Sequence, residues 1–197
     1  MDDDEAVRES LGALLEGQGF AVAGYSSGTA LLAENPAAAA ACAIIDLRMP
    51  GMDGLTLLER LRASGASYPM IVATGHGDVA LAVRAMKIGA ADFIEKPYSN
   101  DVMLSTIWDA IRRGAPSLKS AGESDAVRQL ASLTPRERQV LEGLVAGNPN
   151  KIIAYQLGIS PRTVEIHRAN LVKKTGADSL SHLIRLALAA GIDPGER

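Results

Sequence analysis

Between Glu5 and Arg113 the apolar residues switch repeatedly between a helical period and short continuous runs, and few folds accept that alternation. Val7, Leu11, Leu14 and Leu15 share one helical face, and Gly17 to Gly19 end it. Short apolar runs recur at Phe20–Ala23, Cys42–Leu47, Met70–Ala73 and Ala91–Ile94, with helical stretches at about Gly28–Ala33, Leu55–Ala63, Val79–Ile88 and Asn100–Arg113. Uninterrupted apolar runs suit strands covered on both faces. The order therefore predicts an α/β domain over 1–113 with a doubly wound parallel sheet, its chemistry gathered where the loops meet at the carboxyl ends of the strands.

Beyond Arg113 the alternation stops. Gly114–Glu123 is rich in Gly, Ser, Ala and Pro and lacks any period, so a linker is predicted over 114–130 and a second domain over 131–197. That second domain reads as all-α. Thr134-Pro135-Arg136-Glu137 offers an N-cap threonine, a proline at the first helical position and a glutamate at the third, the pattern of a capping box. A helix follows to about Ala146, another from Lys151 to Leu157, then the tight turn Gly158-Ile159-Ser160-Pro161 and a third helix to Lys174. Helix, glycine turn and helix make a helix-turn-helix. A last amphipathic helix carries Leu183, Ile184, Leu186 and Leu188.

Charge divides at the same place. Residues 1–130 hold 11 basic and 17 acidic side chains, a balance of −6, and residues 131–197 hold 9 and 6, a balance of +3. An acidic first part and a basic second part suit different partners, with nucleic acid a candidate for the second. No apolar run approaches the ~20 residues needed to span a bilayer, and the start Met1-Asp2-Asp3-Asp4-Glu5 is unlike a signal peptide, so a cytoplasmic protein without membrane contact is expected. The single cysteine, Cys42, lies in an apolar run and reads as a small buried hydrophobe. His76, His167 and His182 are too scattered for a zinc site.

In the first domain, polar groups stand at successive strand ends. Asp2, Asp3 and Asp4 precede the first helix, Asp46 ends Ala43-Ile44-Ile45, Thr74 ends the next strand and Lys96 ends the last. Carboxylates so placed repel one another unless a hard cation sits among them, and Mg²⁺ takes a few oxygen ligands together with water and phosphate. A Mg²⁺-assisted phosphate site is therefore expected, with Lys96 and Thr74 able to bind phosphoryl oxygens.

Asp2-Asp3 ahead of Arg8, Ile45-Asp46-Leu47-Arg48-Met49-Pro50-Gly51-Met52-Asp53-Gly54, Ala73-Thr74-Gly75-His76 and Phe93-Ile94-Glu95-Lys96-Pro97 together resemble the response-regulator receiver family over about residues 2–113. The resemblance implies a flavodoxin-like fold with Asp46 as phosphoacceptor, taking phosphate from a sensor histidine kinase. It implies Asp3, Asp46 and the backbone carbonyl of Arg48 as Mg²⁺ ligands, with Asp2 acting through water. Thr74 and Lys96 would contact the phosphoryl group, and Phe93 would swing inward on activation. Asp4 remains a helix N-terminal acid, and His76 is not a phosphoryl donor. Receivers carry an apolar central strand directly before the acidic pair, where this sequence has only Met1. An upstream segment encoding about five apolar residues is expected, and without it a gap would expose both neighbouring strands.

In the third helix of the second domain, Val164, His167 and Leu171 form the inward face, with Arg162, Thr163, Glu165, Ile166, Arg168, Ala169, Asn170 and Lys173 outward. Lys173 and Lys174 suit either a helix C-terminus or a phosphate. Leu133–Leu141, Asn150–Ala154 and Ile159–Asn170 resemble the LuxR-type helix-turn-helix family, and with the receiver ahead the match is to the NarL/FixJ class of regulators. That resemblance implies double-stranded DNA as partner, with Arg162, Thr163, Glu165, Ile166, Arg168 and Ala169 facing the groove and Lys151 and Lys173 on phosphates. It also implies a homodimer on phosphorylation, through a surface formed by Val79–Ile88 and the last strand. Two other readings compete. A haloacid-dehalogenase-type phosphatase would also use Asp46 as nucleophile, but wants a second aspartate where Arg48 stands. A phosphorylation-controlled adaptor would bind protein through the helical domain, which its basic balance and polar outward face disfavour.

Overall fold

The computed structural model describes residues 1–34, 40–75, 79–114 and 123–192. His76 and the residues 115–122 of the expected linker lie outside them. The chain divides into two compact units, Met1–His76 with Ile88–Pro116 and Gly77–Lys87 with Ser117–Arg197.

In the first unit the apolar runs become three parallel strands, β1 (Ala43–Asp46), β2 (Met70–Thr74) and β3 (Asp92–Glu95), in that order across the sheet. The register pairs Asp46 with Ala73 and Thr74 with Glu95, so the strands end side by side. Every residue of β2 is buried, as a central strand covered on both faces requires. Helix α1 (Glu5–Glu16) starts at Asp4, whose carboxylate accepts from the N–H groups of Ala6 and Val7 and satisfies two otherwise orphaned donors. Helix α2 spans Gly28–Glu34, α3 Gly54–Ala63 and α5 Asn100–Arg113, while α4 spans Val79–Ile88. Leu15 of α1 and Met103, Ile107 and Ala110 of α5 join Ile71 and Ile94 in one core, and α3 packs against β1.

The expected strand over Phe20–Ala23 does not form. Ala21, Val22 and Ala23 are exposed and belong to no ladder. The Met1 ammonium donates to the Ile44 carbonyl at 2.8 Å, the Asp46 N–H donates to the Met1 carbonyl at 3.0 Å, and the Asp2 N–H reaches the Tyr25 carbonyl at 3.4 Å. Met1 and Asp2 thus tie the end of β1 to the segment around Tyr25.

The second unit holds α6 (Glu123–Leu130), α7 (Pro135–Val145), α8 (Asn150–Leu157), α9 (Pro161–Thr175) and α10 (Leu180–Ala189). Helix α6 corrects the expected linker over 114–130: Ala126 and Leu130 are buried, and the helix packs on α10 and α9. Its periodic apolar positions were masked by the aperiodic stretch before it. Val140, Leu141, Leu144, Ile153, Val164, Leu171, Leu183 and Ala187 form the core. Thr134 closes the capping box with Glu137, and Gly158 ends α8 at φ +64°, a left-handed turn that suits glycine.

Candidate phosphoacceptor site and DNA-facing helix

The acidic site is assembled at the carboxyl ends of the strands. Asp46, 7% exposed, ends β1, and Lys96, just past β3, donates from Nζ to Asp46 Oδ2 at 2.8 Å and to Asp2 Oδ2 at 2.7 Å. Burial alone would depress the Lys96 ammonium, but the hydrogen bonds to Asp2 and Asp46 outweigh it and hold its pKa above that of an ordinary lysine. Asp2 Oδ1 accepts from the Asp4 N–H, and Arg8 Nη1 donates to the carbonyls of both Asp2 and Asp3 at 2.9 Å, which pins the acidic segment against α1. Asp2, Asp3 and Asp46 offer carboxylate oxygens all within 4.8 Å of one another, a hard-oxygen donor set that could hold a metal ion.

Thr74 ends β2 and is 2% exposed, and its Oγ1 has no hydrogen-bond partner among the described residues. A buried hydroxyl without a partner costs free energy, and the Thr74 hydroxyl could donate to a group brought to the strand ends. Phe93, in β3, is half-buried. The exposed Arg48 donates its backbone N–H to Asp46 Oδ1 at 3.1 Å, which orients the carboxylate. The return of the chain into α3 is tight, because a Cβ on Gly54 would sit 2.2 Å from the Asp46 carbonyl oxygen. Only glycine lets α3 begin against the strand end.

In the second unit Ser160 caps α9 by accepting from the Thr163 N–H, and Pro161 occupies the first turn. Val164 and Leu171 are fully buried, while Arg162, Glu165, Ile166, Ala169 and Lys173 are exposed on α9 and Lys151 on α8. His167 is half-buried, and its Nδ1 is buried without a partner among the described residues, which fits packing and not base reading. Thr163 is half-buried, its hydroxyl 2.8 Å from Ser160 Oγ. Arg168 also is only half-exposed, donating from Nη1 to Asn150 Oδ1 at 3.0 Å. Lys174 ion-pairs with Glu137 Oε2 at 2.7 Å, a partner that neither reading of it foresaw. Lys174 and the Thr134 donors hold the 3%-exposed Glu137 at a pKa of about 2. Sequence reasoning recognised Glu137 as a cap and overlooked its lysine partner, and it assigned Asn150 no role. No local signal marks either pairing, because each depends on how two helices pack.

The family profile of the response regulator receiver domain matches residues 1–108, a span that includes α4, and that of bacterial regulatory proteins of the luxR family matches 131–187. The transcriptional regulatory protein FixJ of Bradyrhizobium diazoefficiens is 49% identical over 193 residues, covering 98% of this chain and 94% of its own. FixJ of Rhizobium meliloti is 48% identical over 195 residues, covering 98% and 96%. The crystal structure of full-length FixJ from B. japonicum superposes with a TM-score of 0.55 at 49% identity, over 97% of this chain and 95% of that one. Strand-end carboxylates with their lysine, a helix-turn-helix behind them, and relatives matched nearly end to end agree: the chain belongs to the FixJ-like two-component response regulators, transcriptional regulators in which a receiver domain precedes a LuxR-type DNA-binding domain.

Proposed function

We propose that Asp46 is the residue phosphorylated, by a sensor histidine kinase, and that its phosphorylation controls DNA binding through residues 131–197. The observation that carries this reading is the position of the Asp46 carboxylate, at a strand end with Lys96 Nζ 2.8 Å away and Asp2 and Asp3 beside it. An Asp46 oxygen attacks phosphorus, the bond to the kinase histidine breaks, and an aspartyl phosphate forms. Mg²⁺, held by Asp3, Asp46, the Arg48 carbonyl and, through water, Asp2, would neutralise charge on the transferring group. Lys96 and the unpartnered Thr74 hydroxyl then bind phosphoryl oxygens, and Phe93 follows the space Thr74 vacates. Hydrolysis returns the free carboxylate, so no external substrate is turned over. Acetyl phosphate with Mg²⁺ should label the protein in a phosphate-affinity gel, and Asp46→Asn should abolish the label; full labelling of that variant overturns the assignment.

The phosphoryl group adds about −1.5 to −2 charge, and binding it best in one loop arrangement biases the receiver toward a dimer. Two helix-turn-helix units held on half-sites about one helical turn apart share one binding event, so dimerisation raises affinity. Shifting the balance from 1:99 to 99:1 takes about 5.5 kcal/mol. Sedimentation with and without beryllofluoride should show monomer becoming dimer, and Thr74→Ala should uncouple the two; equal dimerisation without the mimic counts against the mechanism. On DNA, the exposed Arg162, Glu165, Ile166 and Ala169, with Thr163, face the major groove, and Lys151 and Lys173 meet phosphates. With about six phosphates contacted, affinity should fall by around 10³ between 50 and 200 mM salt.

A further inference from the structure

Arg168 has been grouped with the groove-facing residues, yet its guanidinium is drawn away from its own helix. Nη1 donates at 3.0 Å to Oδ1 of Asn150, which stands in the first turn of α8, 18 residues earlier. In a helix-turn-helix the second helix lies in the groove, its N-terminal residues on base edges, while the first helix crosses the sugar–phosphate backbone. Arg168 is at the middle of α9 and is tied to the start of α8. We propose that Asn150 is a positioning residue that holds Arg168 against a DNA phosphate, so that Arg168 is a backbone clamp and not a reader of base sequence. This rests on the DNA-binding reading of residues 131–197.

Three observations carry it. A guanidinium has five N–H donors, and the tether uses one, leaving the rest of the fork for the oxygens of a phosphodiester. The partner is a neutral amide, and Glu165, one turn earlier on α9, makes no ion pair with Arg168 among the described residues, so the positive charge stays unneutralised. The surroundings suit an anion as well, since exposed Lys151 follows Asn150 directly and the first turn of α8 has no side-chain cap. A tethered arginine also loses less rotamer freedom on binding than a free one.

The test uses the full-length protein with beryllofluoride, titrated by fluorescence anisotropy against an operator duplex selected from genomic fragments and a random duplex of equal length. Arg168→Ala should weaken both by about tenfold and lower the slope of log affinity on log salt by about 0.9. Asn150→Ala should weaken both by roughly threefold, and that loss should vanish in an Arg168→Ala background, because the tether then has nothing to hold. Asn150→Asp keeps an acceptor for Arg168 and adds a favourable first-turn acid, so it should melt no lower than wild type; facing a phosphate, it should bind both duplexes more weakly than Asn150→Ala. A purely structural tie predicts the opposite order. Loss confined to the operator, an Asn150 effect that survives without Arg168, or wild-type affinity in Asn150→Asp each overturns the proposal. Failure of the wild type to bind either duplex would instead overturn the DNA-binding reading itself. Thermal melts of each variant guard against a folding defect, and Arg168→Gln replaces Arg168→Ala if the latter melts early.

Discussion

At the acidic site Lys96 meets Asp2 and Asp46 across 94 and 50 residues of chain, whereas the side chains from Arg162 to Lys173 proposed to face DNA stand on one helix of 15 residues. The first arrangement exists only while β1, β2 and β3 keep their register; the second needs little more than a capped helix with Val164 and Leu171 buried beneath it. The difference teaches where each is vulnerable. A site gathered from distant segments fails when the backbone between them shifts, and a site on one helix fails when that helix loses its caps or its seat on the core.

The strongest way to break the comparison is Gly54→Ala. Its Cβ would press on the Asp46 carbonyl oxygen, with no flexible side chain there to yield, so the receiver should lose roughly 3 kcal/mol or more. Trp108, the single tryptophan, lies on α5 and reports that unfolding by fluorescence, while the helical domain should melt unchanged. A receiver as stable as wild type would mean that the strand end can give way.

The opposite weakness is sharpened by Lys174→Ala. Glu137 would be left buried with only its Thr134 donors, at an expected cost of about 1–2 kcal/mol, less than for a fully buried pair because Lys174 is partly solvated. The pH dependence has a definite sign. The folded-state pKa of Glu137, about 2, is depressed below its ordinary 4.5, so its contribution is complete above pH 4.5 and is lost as the pH falls toward 2. Acid melts of the helical domain should show that loss in the wild type and a smaller one in Lys174→Ala; parallel curves would refute the pairing.

Smaller still is Thr134→Ala, which removes the α7 cap and should cost about 1 kcal/mol, read by a urea titration of the helical domain. The least effect is expected at Cys42. Desolvation pushes its thiol up to about 12, so it should react with a disulfide reagent far more slowly than an exposed cysteine at pH 8; rapid labelling of the native protein would contradict the packing around β1.

Most of this molecule could be read from short-range pattern. Apolar runs ending at Asp46, Thr74 and Lys96 marked three strands and the edge where chemistry gathers, and α4, α5 and α9 follow from the 3.6-residue period. Capping boxes, glycine stops and proline starts are local, so the order of residues alone determined α7, the turn at Gly158 and the start of α9. What only tertiary structure decided has a common physical cause. The segment Phe20–Ala23 has the composition of a strand, yet a strand also needs a ladder partner, and none pairs with it among the described residues. Likewise the sequence lists Lys174, Arg168 and Asn150 as interchangeable polar residues on helix surfaces. Which of them is tied to a buried carboxylate and which to the neighbouring helix is set by where α7, α8 and α9 touch, because a hydrogen bond is decided within about 3 Å and no residue spacing encodes a distance between two helices.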